Sequence, residues 1–200
     1  MRLNLEMETR SLLDKFGRII NTIRISVTDN CNLNCFYCVP DEEGHQSFKK
    51  ILSFQEIYDI VKEVSSLGIS RIKITGGEPL VRKNIETLIA MIKTIPEIKD
   101  LSITTNGVLL TSLALPLKNS GLDRINISLD TLDKKLFKEI TRGGDLTTVI
   151  NGIFEAKKYF CGKIKINTVL LKDKNENEID DIKKFCKNNN FNFQLINQMD

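Results

Sequence analysis

The sequence lacks most of the features that would send a chain to a membrane, to the cell exterior or to nucleic acid. Its longest uncharged run, Leu101–Leu117, is interrupted by Thr104, Thr105, Asn106, Gly107 and Pro116, so it cannot form a spanning helix. The first six residues place Glu6 where a secretion signal needs an apolar core, and no small-residue cleavage site follows. Lys and Arg number 29 against 26 Asp and Glu, a net charge of +3, and they are interspersed along the chain, which leaves no basic stripe for nucleic acid. No G-x-G-x-x-G follows the first strand-like stretch, so the usual dinucleotide fingerprint is missing. Cysteine is sparse and odd in number, five in all, with three crowded into eight residues. That argues against a secreted disulfide framework and for a metal site in a reducing compartment, so a cytoplasmic protein is expected.

What is present fits one ordinary folded domain. Two hundred residues, 41% hydrophobic and 28% charged, suffice to bury a core without covalent staples. Residues 1–22 are weakly periodic and read as a leader with a turn at Gly17; the core domain is expected over 23–200. Residues 23–27 alternate apolar and polar as a strand does and run straight into the cysteines. Ser53 and Glu56 form a capping-box pattern ahead of a helical stripe of Ile57, Ile60, Val61, Val64 and Leu67, ended by Gly68. A second strand, 71–75, ends at Gly76-Gly77-Glu78-Pro79, and Ile85, Leu88, Ile89 and Ile92 make the next helical stripe. Strand 101–105 closes on Asn106-Gly107, with Thr111 or Ser112 capping a short helix. Strand 124–129 precedes a helix capped by Asp133 and another over 146–159. Strand 163–169 leads to a second capping-box pattern, Asn175 and Glu178, before the stripe of Ile179, Ile182, Phe185 and Cys186; strand 191–196 follows.

Six strands alternating with helices predict parallel βαβ units, either an open doubly wound sheet or part of a barrel. Polar and glycine-rich signals follow the first four strands in turn, as they do on the functional face of a (βα) barrel, and the dinucleotide fingerprint is absent. Both favour an α/β partial (βα)6 TIM-like barrel.

Cys31, Cys35 and Cys38, spaced C-x3-C-x2-C, look like ligands to one inorganic centre. Eight extended residues would span roughly 26 Å at about 3.3 Å each, so the segment must curl around what it holds. A four-iron cluster is usually held by four thiolates, and three from one loop would leave one iron open to another ligand. Phe36 and Tyr37 would shield such a cluster or stack on a bound ring. A structural zinc site adding His45, the only histidine, is the competing reading. A ferredoxin loop would want a fourth cysteine followed by proline, and here Pro40 follows Val39. Cys161 and Cys186 lie in or beside helical stripes and are expected to be small buried hydrophobes.

The cysteine motif after the first strand, with Gly76-Gly77-Glu78-Pro79 at the end of the second, resembles the radical S-adenosylmethionine (SAM) enzymes. Within that superfamily the motifs at Phe16–Arg18, Ile23–Asp29, Ile74–Leu80, Thr104–Gly107, Arg124–Asp130 and Lys165–Asn167, in order and at compatible spacing, resemble the GTP 3',8-cyclase family of molybdenum cofactor biosynthesis. The resemblance implies a 4Fe-4S cluster on Cys31, Cys35 and Cys38, with SAM on the open iron and a 5'-deoxyadenosyl radical as product of its cleavage. It implies SAM contacts at Gly76, Gly77 and Glu78, with Tyr37, Ser128 and Met199 along the adenosyl moiety. Gly77 would let the backbone approach the methionyl group. It implies GTP as substrate, with contacts at Arg24, Thr104 and Lys165, and a flavodoxin- or ferredoxin-like electron donor. Lys73 stands where the family usually has arginine, which turns a bidentate grip into a point charge. Gln194 and Asn197 are neutral where the family has an arginine-containing strand and a glutamate. Full-length members continue to a C-terminal region with a second cluster, and this chain ends at Asp200 before it. The alternatives are a radical SAM enzyme with another substrate, or a cluster-binding protein that depends on a second copy or a partner chain to cover the open barrel.

Overall fold

The computed structural model describes residues 12–38 and 51–197. The chain enters through a small antiparallel hairpin, β1 (Leu12–Leu13) and β2 (Ile19–Ile20), paired Leu12 with Ile20 and Leu13 with Ile19. Gly17 makes its turn, and the Asp14 carboxylate accepts from the amides of Phe16 and Arg18 at 2.8 and 3.0 Å. Residues 12–20 of the stretch expected as a leader thus form a hairpin held by backbone bonds and by the Asp14 side chain.

Six parallel strands follow: β3 (Thr22–Ser26), β4 (Arg71–Thr75), β5 (Asp100–Thr105), β6 (Arg124–Ser128), β7 (Ile164–Leu170) and β8 (Asn192–Asn197). Between them run α1 (Phe54–Ser66), α2 (Ile85–Lys93), α3 (Leu110–Asn119), α4 (Lys134–Ile140), α5 (Leu146–Tyr159) and α6 (Ile179–Asn189). Strand order in space equals strand order in sequence. A doubly wound sheet must reverse its growth at a switch point; this one never does, and its outer strands β3 and β8 are unpaired with each other. The expected partial barrel is what forms.

Strand alternation sorts the side chains into two unlike faces. Ile72, Ile74, Ile103, Ile125, Ile127 and Ile166 are fully buried against the helices. There they meet Ile57 and Val61 of α1, Leu88 and Ile92 of α2, Leu110 and Leu117 of α3, Val149 and Ile153 of α5 and Ile182 of α6. The other face is mainly polar, with Val169 and Ile196 as apolar exceptions at the β7–β8 edge. Register places Arg24, Lys73, Ser102 and Arg124 in one row across β3 to β6, Thr104, Asn126 and Lys165 in a second, and Ser128, Asn167 and Gln194 in a third. A closed TIM barrel fills this space with branched apolar side chains. Charged and hydrogen-bonding groups occupy it here.

Several local expectations are met and several are corrected. The Ser53 capping box forms, with Glu56 N donating to Ser53 Oγ at 3.2 Å and Ser53 N to Glu56 Oε2 at 2.7 Å. Asp133 caps α4 by accepting from Leu136 N at 2.7 Å. The buried stripe of α1 is narrower than expected: Ile57, Val61 and Ser65 lie inward, whereas Ile60 and Leu67 are 42% and 38% exposed. Neither Thr111 nor Ser112 caps α3, which starts a residue earlier; Leu109 is its N-cap and offers no side-chain bond. Asn175 and Glu178 do not form a capping box. Asn175 opens a 3-10 turn over Glu176–Glu178, and both side chains serve the β6–α4 loop instead. Cys186 is buried as expected, but Cys161 is exposed, because α5 has already ended at Tyr159. Among the described residues no helix is long and apolar enough to cross a membrane.

Candidate functional site

The three cysteines sit on the loop that leaves the C-terminal end of β3, and the structure shows what suspends that loop over the barrel mouth. On one side it docks backbone to backbone on the turn after β4. Gly77 N donates to Thr28 O at 2.7 Å and Glu78 N to Asn30 O at 2.8 Å. A Cβ on Gly76 would lie 2.4 Å from Thr28 O, and one on Gly77 would lie 2.4 Å from Asp29 O and 2.5 Å from Asn30 O. The space in front of Gly77 is thus taken by protein backbone, so close approach of two loops is what demands glycine there.

Glu78 locks this junction to β5. It is fully buried, its Oε1 accepting from Leu80 N at 2.9 Å and Thr105 Oγ1 at 2.7 Å, its Oε2 from Asn106 N at 2.6 Å. Burial pushes its carboxyl above the ordinary value, and these three donors oppose that rise. Asn106 in turn donates through Nδ2 to Asn32 Oδ1 at 2.7 Å and makes a longer contact of 3.8 Å to Cys31 Sγ. Both oxygens of Glu78 therefore have partners within the chain.

On the opposite side the loop rests on α4. Asn34 N and Phe36 N donate to Thr141 O at 3.3 Å and Ile140 O at 3.1 Å, carbonyls at a helix end that lack helical partners. Cys38 N donates to Cys35 O at 3.0 Å, closing a turn, and inside that turn the Tyr37 hydroxyl donates to Asp130 Oδ2 at 2.6 Å.

Held this way, Cys31, Cys35 and Cys38 open onto one cavity of about 370 Å³, together with Ser26, Asp29, Leu33, Gly76 and Gly77. Leu33 N donates to Cys31 Sγ at 3.4 Å. Burial pushes the Cys31 thiol up, and the nearby Glu78 charge adds to this. The side chains of Cys35 and Cys38 interact with each other, and that interaction together with burial pushes the Cys35 thiol well up. Among the described residues no three His, Cys, Asp or Glu side chains converge closely enough to share a single metal ion. His45, the fourth ligand of the zinc reading, lies outside those residues. Three thiols around a cavity are a donor set suited to a polynuclear iron-sulfur centre that keeps one position free.

The other expected residues divide. Arg24 and Lys73 are direct cross-strand neighbours in the first inward row, and Thr104 and Lys165 lie in the second. Burial lowers the Lys73 ammonium, and repulsion from Arg24, Lys165 and Arg124 lowers it further, against the pull of Asp100. Ser128 ends β6 on the inward face, beside Asn167. Tyr37 is turned toward Asp130, and Met199 lies outside the described residues. Four residues were missed from sequence. Arg124 adds a cation to the first row and is gripped bidentately by Asp100, with Nε to Oδ1 at 2.7 Å and Nη2 to Oδ2. Asp130 and Asn106 tie the cysteine loop down. The alternation of polar residues with Ile125 and Ile127 was the available signal for Arg124; the others touch partners far away in sequence.

Comparison with known proteins agrees with this geometry. The family model described as Radical SAM superfamily matches residues 25–186. The chain is 47% identical over 190 residues to a GTP 3',8-cyclase of Listeria monocytogenes, covering 94% of this chain and 57% of that protein. It is 43% identical to the GTP 3',8-cyclase of Lactiplantibacillus plantarum over 190 residues, with the same coverage, and 44% identical to that of Clostridium botulinum over 189 residues, covering 94% and 59%. The chain thus spans rather more than half the length of the curated relatives it matches. In fold it is similar to Streptococcus suis SuiB bound to S-adenosylmethionine, with TM-score 0.72 and 24% identity over 90% of this chain and 41% of that one. It is also similar to methylornithine synthase, with TM-score 0.68 and 16% identity over 96% and 55%. With its thiol-lined cavity at the mouth of a parallel half-barrel and a family match over most of its length, the chain belongs to the radical SAM superfamily, whose cofactors are a 4Fe-4S cluster and S-adenosylmethionine.

Proposed function

We propose that this chain carries the catalytic barrel of a GTP 3',8-cyclase, a radical SAM lyase of molybdenum cofactor biosynthesis. The observation that carries the reading is the pairing of a three-thiol cavity at the strand ends with inward rows of Arg24, Lys73 and Lys165 on the same barrel face. The first feature suits SAM chemistry, and the second suits a polyanionic substrate. Relatives named for the cyclase share 43% and 47% of its residues.

In this reading Cys31, Cys35 and Cys38 hold the cluster. When bound, the reduced cluster with SAM supplies a 5'-deoxyadenosyl radical, the species that starts the cyclisation. The chain's own residues bind and orient. The turn at Gly76, Gly77 and Glu78 forms the wall on which the methionyl group lies, while Tyr37, Ser128 and Met199 take the adenosyl part. Arg24, Lys73 and Lys165 neutralise the triphosphate of GTP, with Thr104 as a neutral hydrogen-bonding partner. The working core begins at residue 23. An electron arrives from a flavodoxin- or ferredoxin-like donor in the cytoplasm, and a further chain or a second copy covers the opening between β3 and β8. Lys73 on β4, and Gln194 and Asn197 on β8 at the edge of this opening, favour a second reading in which the same chemistry acts on another substrate.

Anaerobic reconstitution tests both. A brown protein that, once reduced, releases 5'-deoxyadenosine and converts GTP to a 3',8-cyclised nucleotide supports the first reading. Cleavage of SAM indifferent to GTP supports the second. Colourless protein holding one zinc overturns both, and Cys35→Ser should abolish cluster loading, because a neutral hydroxyl is a poor ligand.

A further inference from the structure

Asp130 is a buried carboxylate, 6% exposed, at the end of β6, and neither the thiol cavity nor the cation rows account for it. Its Oδ1 accepts from Val169 N of β7 at 2.8 Å. Its Oδ2 accepts from the Tyr37 hydroxyl at 2.6 Å across 93 residues of sequence. Its backbone carbonyl accepts from Asn175 Nδ2 at 2.8 Å. Asn175, itself fully buried, also donates to Val169 O at 2.8 Å and accepts from Leu171 N at 2.8 Å. The carboxylate is therefore fixed by β7 and the segment after it. Tyr37 is the partner that belongs to the cysteine loop.

The backbone of that loop is tied to α4 at Asn34 and Phe36, and past Phe36 the turn to Cys38 is held by its own Cys38 N to Cys35 O bond. The side-chain tie at Tyr37 adds a long-range anchor to that second half of the turn. The bond has the short length of a charge-assisted O–H···O⁻ contact in a dry setting, about twice as strong as a neutral one. Phe36 packs edge-on against the Tyr37 ring, with centroids 5.7 Å apart and planes at 87°, and so sets the ring from the other side. A carboxylate gives the Tyr37 contact its full strength: an amide could accept from Val169 N and donate its NH2 group to the Tyr37 oxygen, but that bond would be neutral.

We propose that Asp130 is a positioning residue for SAM: by holding the Tyr37 hydroxyl it fixes the Cys35–Cys38 turn and the tyrosine ring that the nucleoside meets. This rests on the reading of the cavity as a cluster and SAM site. Asp130→Ala and Tyr37→Phe each cut the tie, and the double variant cuts it no further.

The test uses anaerobically reconstituted wild type, both single variants and the double. It measures iron per chain, SAM affinity by calorimetry, and hydrogen exchange of peptides covering 31–38 in cluster-free protein. Iron content should stay at the wild-type level. The Kd for SAM should rise about tenfold in each single variant, the scale of one charge-assisted hydrogen bond, and the double should match the weaker single. Exchange should quicken over 34–38 alone. Unchanged Kd in both single variants overturns the proposal, as do losses that multiply in the double. If the variants load no iron, exchange decides: faster exchange confined to the loop supports the tie, and faster exchange throughout the chain makes Asp130 a general fold support and overturns it. Wild type that loads iron yet binds no SAM overturns the underlying reading and the proposal with it.

Discussion

Replacing Gly77 with alanine puts the docking of the cysteine loop to a quantitative test. The new Cβ would stand 2.4 Å from Asp29 O, 2.5 Å from Asn30 O and 2.8 Å from Asn30 C, where ordinary contact begins at 3.4 Å. All three are backbone atoms, so relief requires the loop to retreat by about 1 Å, an overpacking error that costs on the order of 1–3 kcal/mol. That retreat stretches the 2.7 Å bond from Gly77 N to Thr28 O and the 2.8 Å bond from Glu78 N to Asn30 O, each contributing about 1 kcal/mol. Gly77→Ala should therefore lose about 2–5 kcal/mol, or about 5–15 °C in Tm at this chain length. Urea unfolding of the cluster-free protein measures it, and iron content after reconstitution should fall in parallel. Gly162→Ala is the control: φ is +68° there but nothing lies within 4 Å, so only backbone strain of roughly 1–2 kcal/mol applies and iron loading should be normal. A Gly77→Ala protein as stable as wild type, with full iron, would refute the reasoning.

Three further outcomes follow from other parts of the site. Glu78→Gln turns an amide NH2 toward a group that now donates, either Asn106 N or the pair Leu80 N and Thr105 Oγ1; thermal unfolding should show a loss of about 1–3 kcal/mol, and unchanged Tm would contradict the network. Lys73 has its ammonium lowered from 10.5 by burial and neighbouring cations, so the unfolded chain holds that proton more tightly. Its penalty is full at neutral pH and fades as pH rises toward 10.5. Lys73→Met should raise Tm at pH 7 and flatten the alkaline rise, and tripolyphosphate should stabilise wild type more than the variant. Finally, a thiol reagent should label exposed Cys161 well before buried Cys186, whose thiol is pushed up to about 11; equal rates would put α6 outside the core.

The parts of this architecture that sequence displayed are those written at short range. Isoleucine alternating with a polar residue on β4, β6 and β7 announced both faces of the barrel before their register was known. The spacing of three cysteines and the Ser53 cap are complete within eight residues. The pattern at Asn175 and Glu178 looked identical in kind to the Ser53 cap and meant something else, because distant partners outcompeted the local ones. Glu178 accepts instead from Thr131 Oγ1 at 2.6 Å and Leu132 N at 2.9 Å, nearly fifty residues back. Asp130 and Asp100 were invisible for the same reason: a carboxylate's partner across the barrel leaves no periodic trace. Cys161 was misjudged by its nearness to a helix whose end no strong signal marked.

The separation between Tyr37 and Asp130 also sets an order of events in the cell. Tyr37 leaves the ribosome 93 residues before the carboxylate that secures it, an interval of about 5–20 s at about 5–20 residues per second. The carbonyls of Ile140 and Thr141 that receive the loop arrive later still. Until then the loop can lean on the turn after β4 and on Asn106 after β5. A nascent chain stalled before residue 130 should therefore lack the Tyr37 tie and label faster at Cys35 and Cys38 with a thiol reagent than the released chain does.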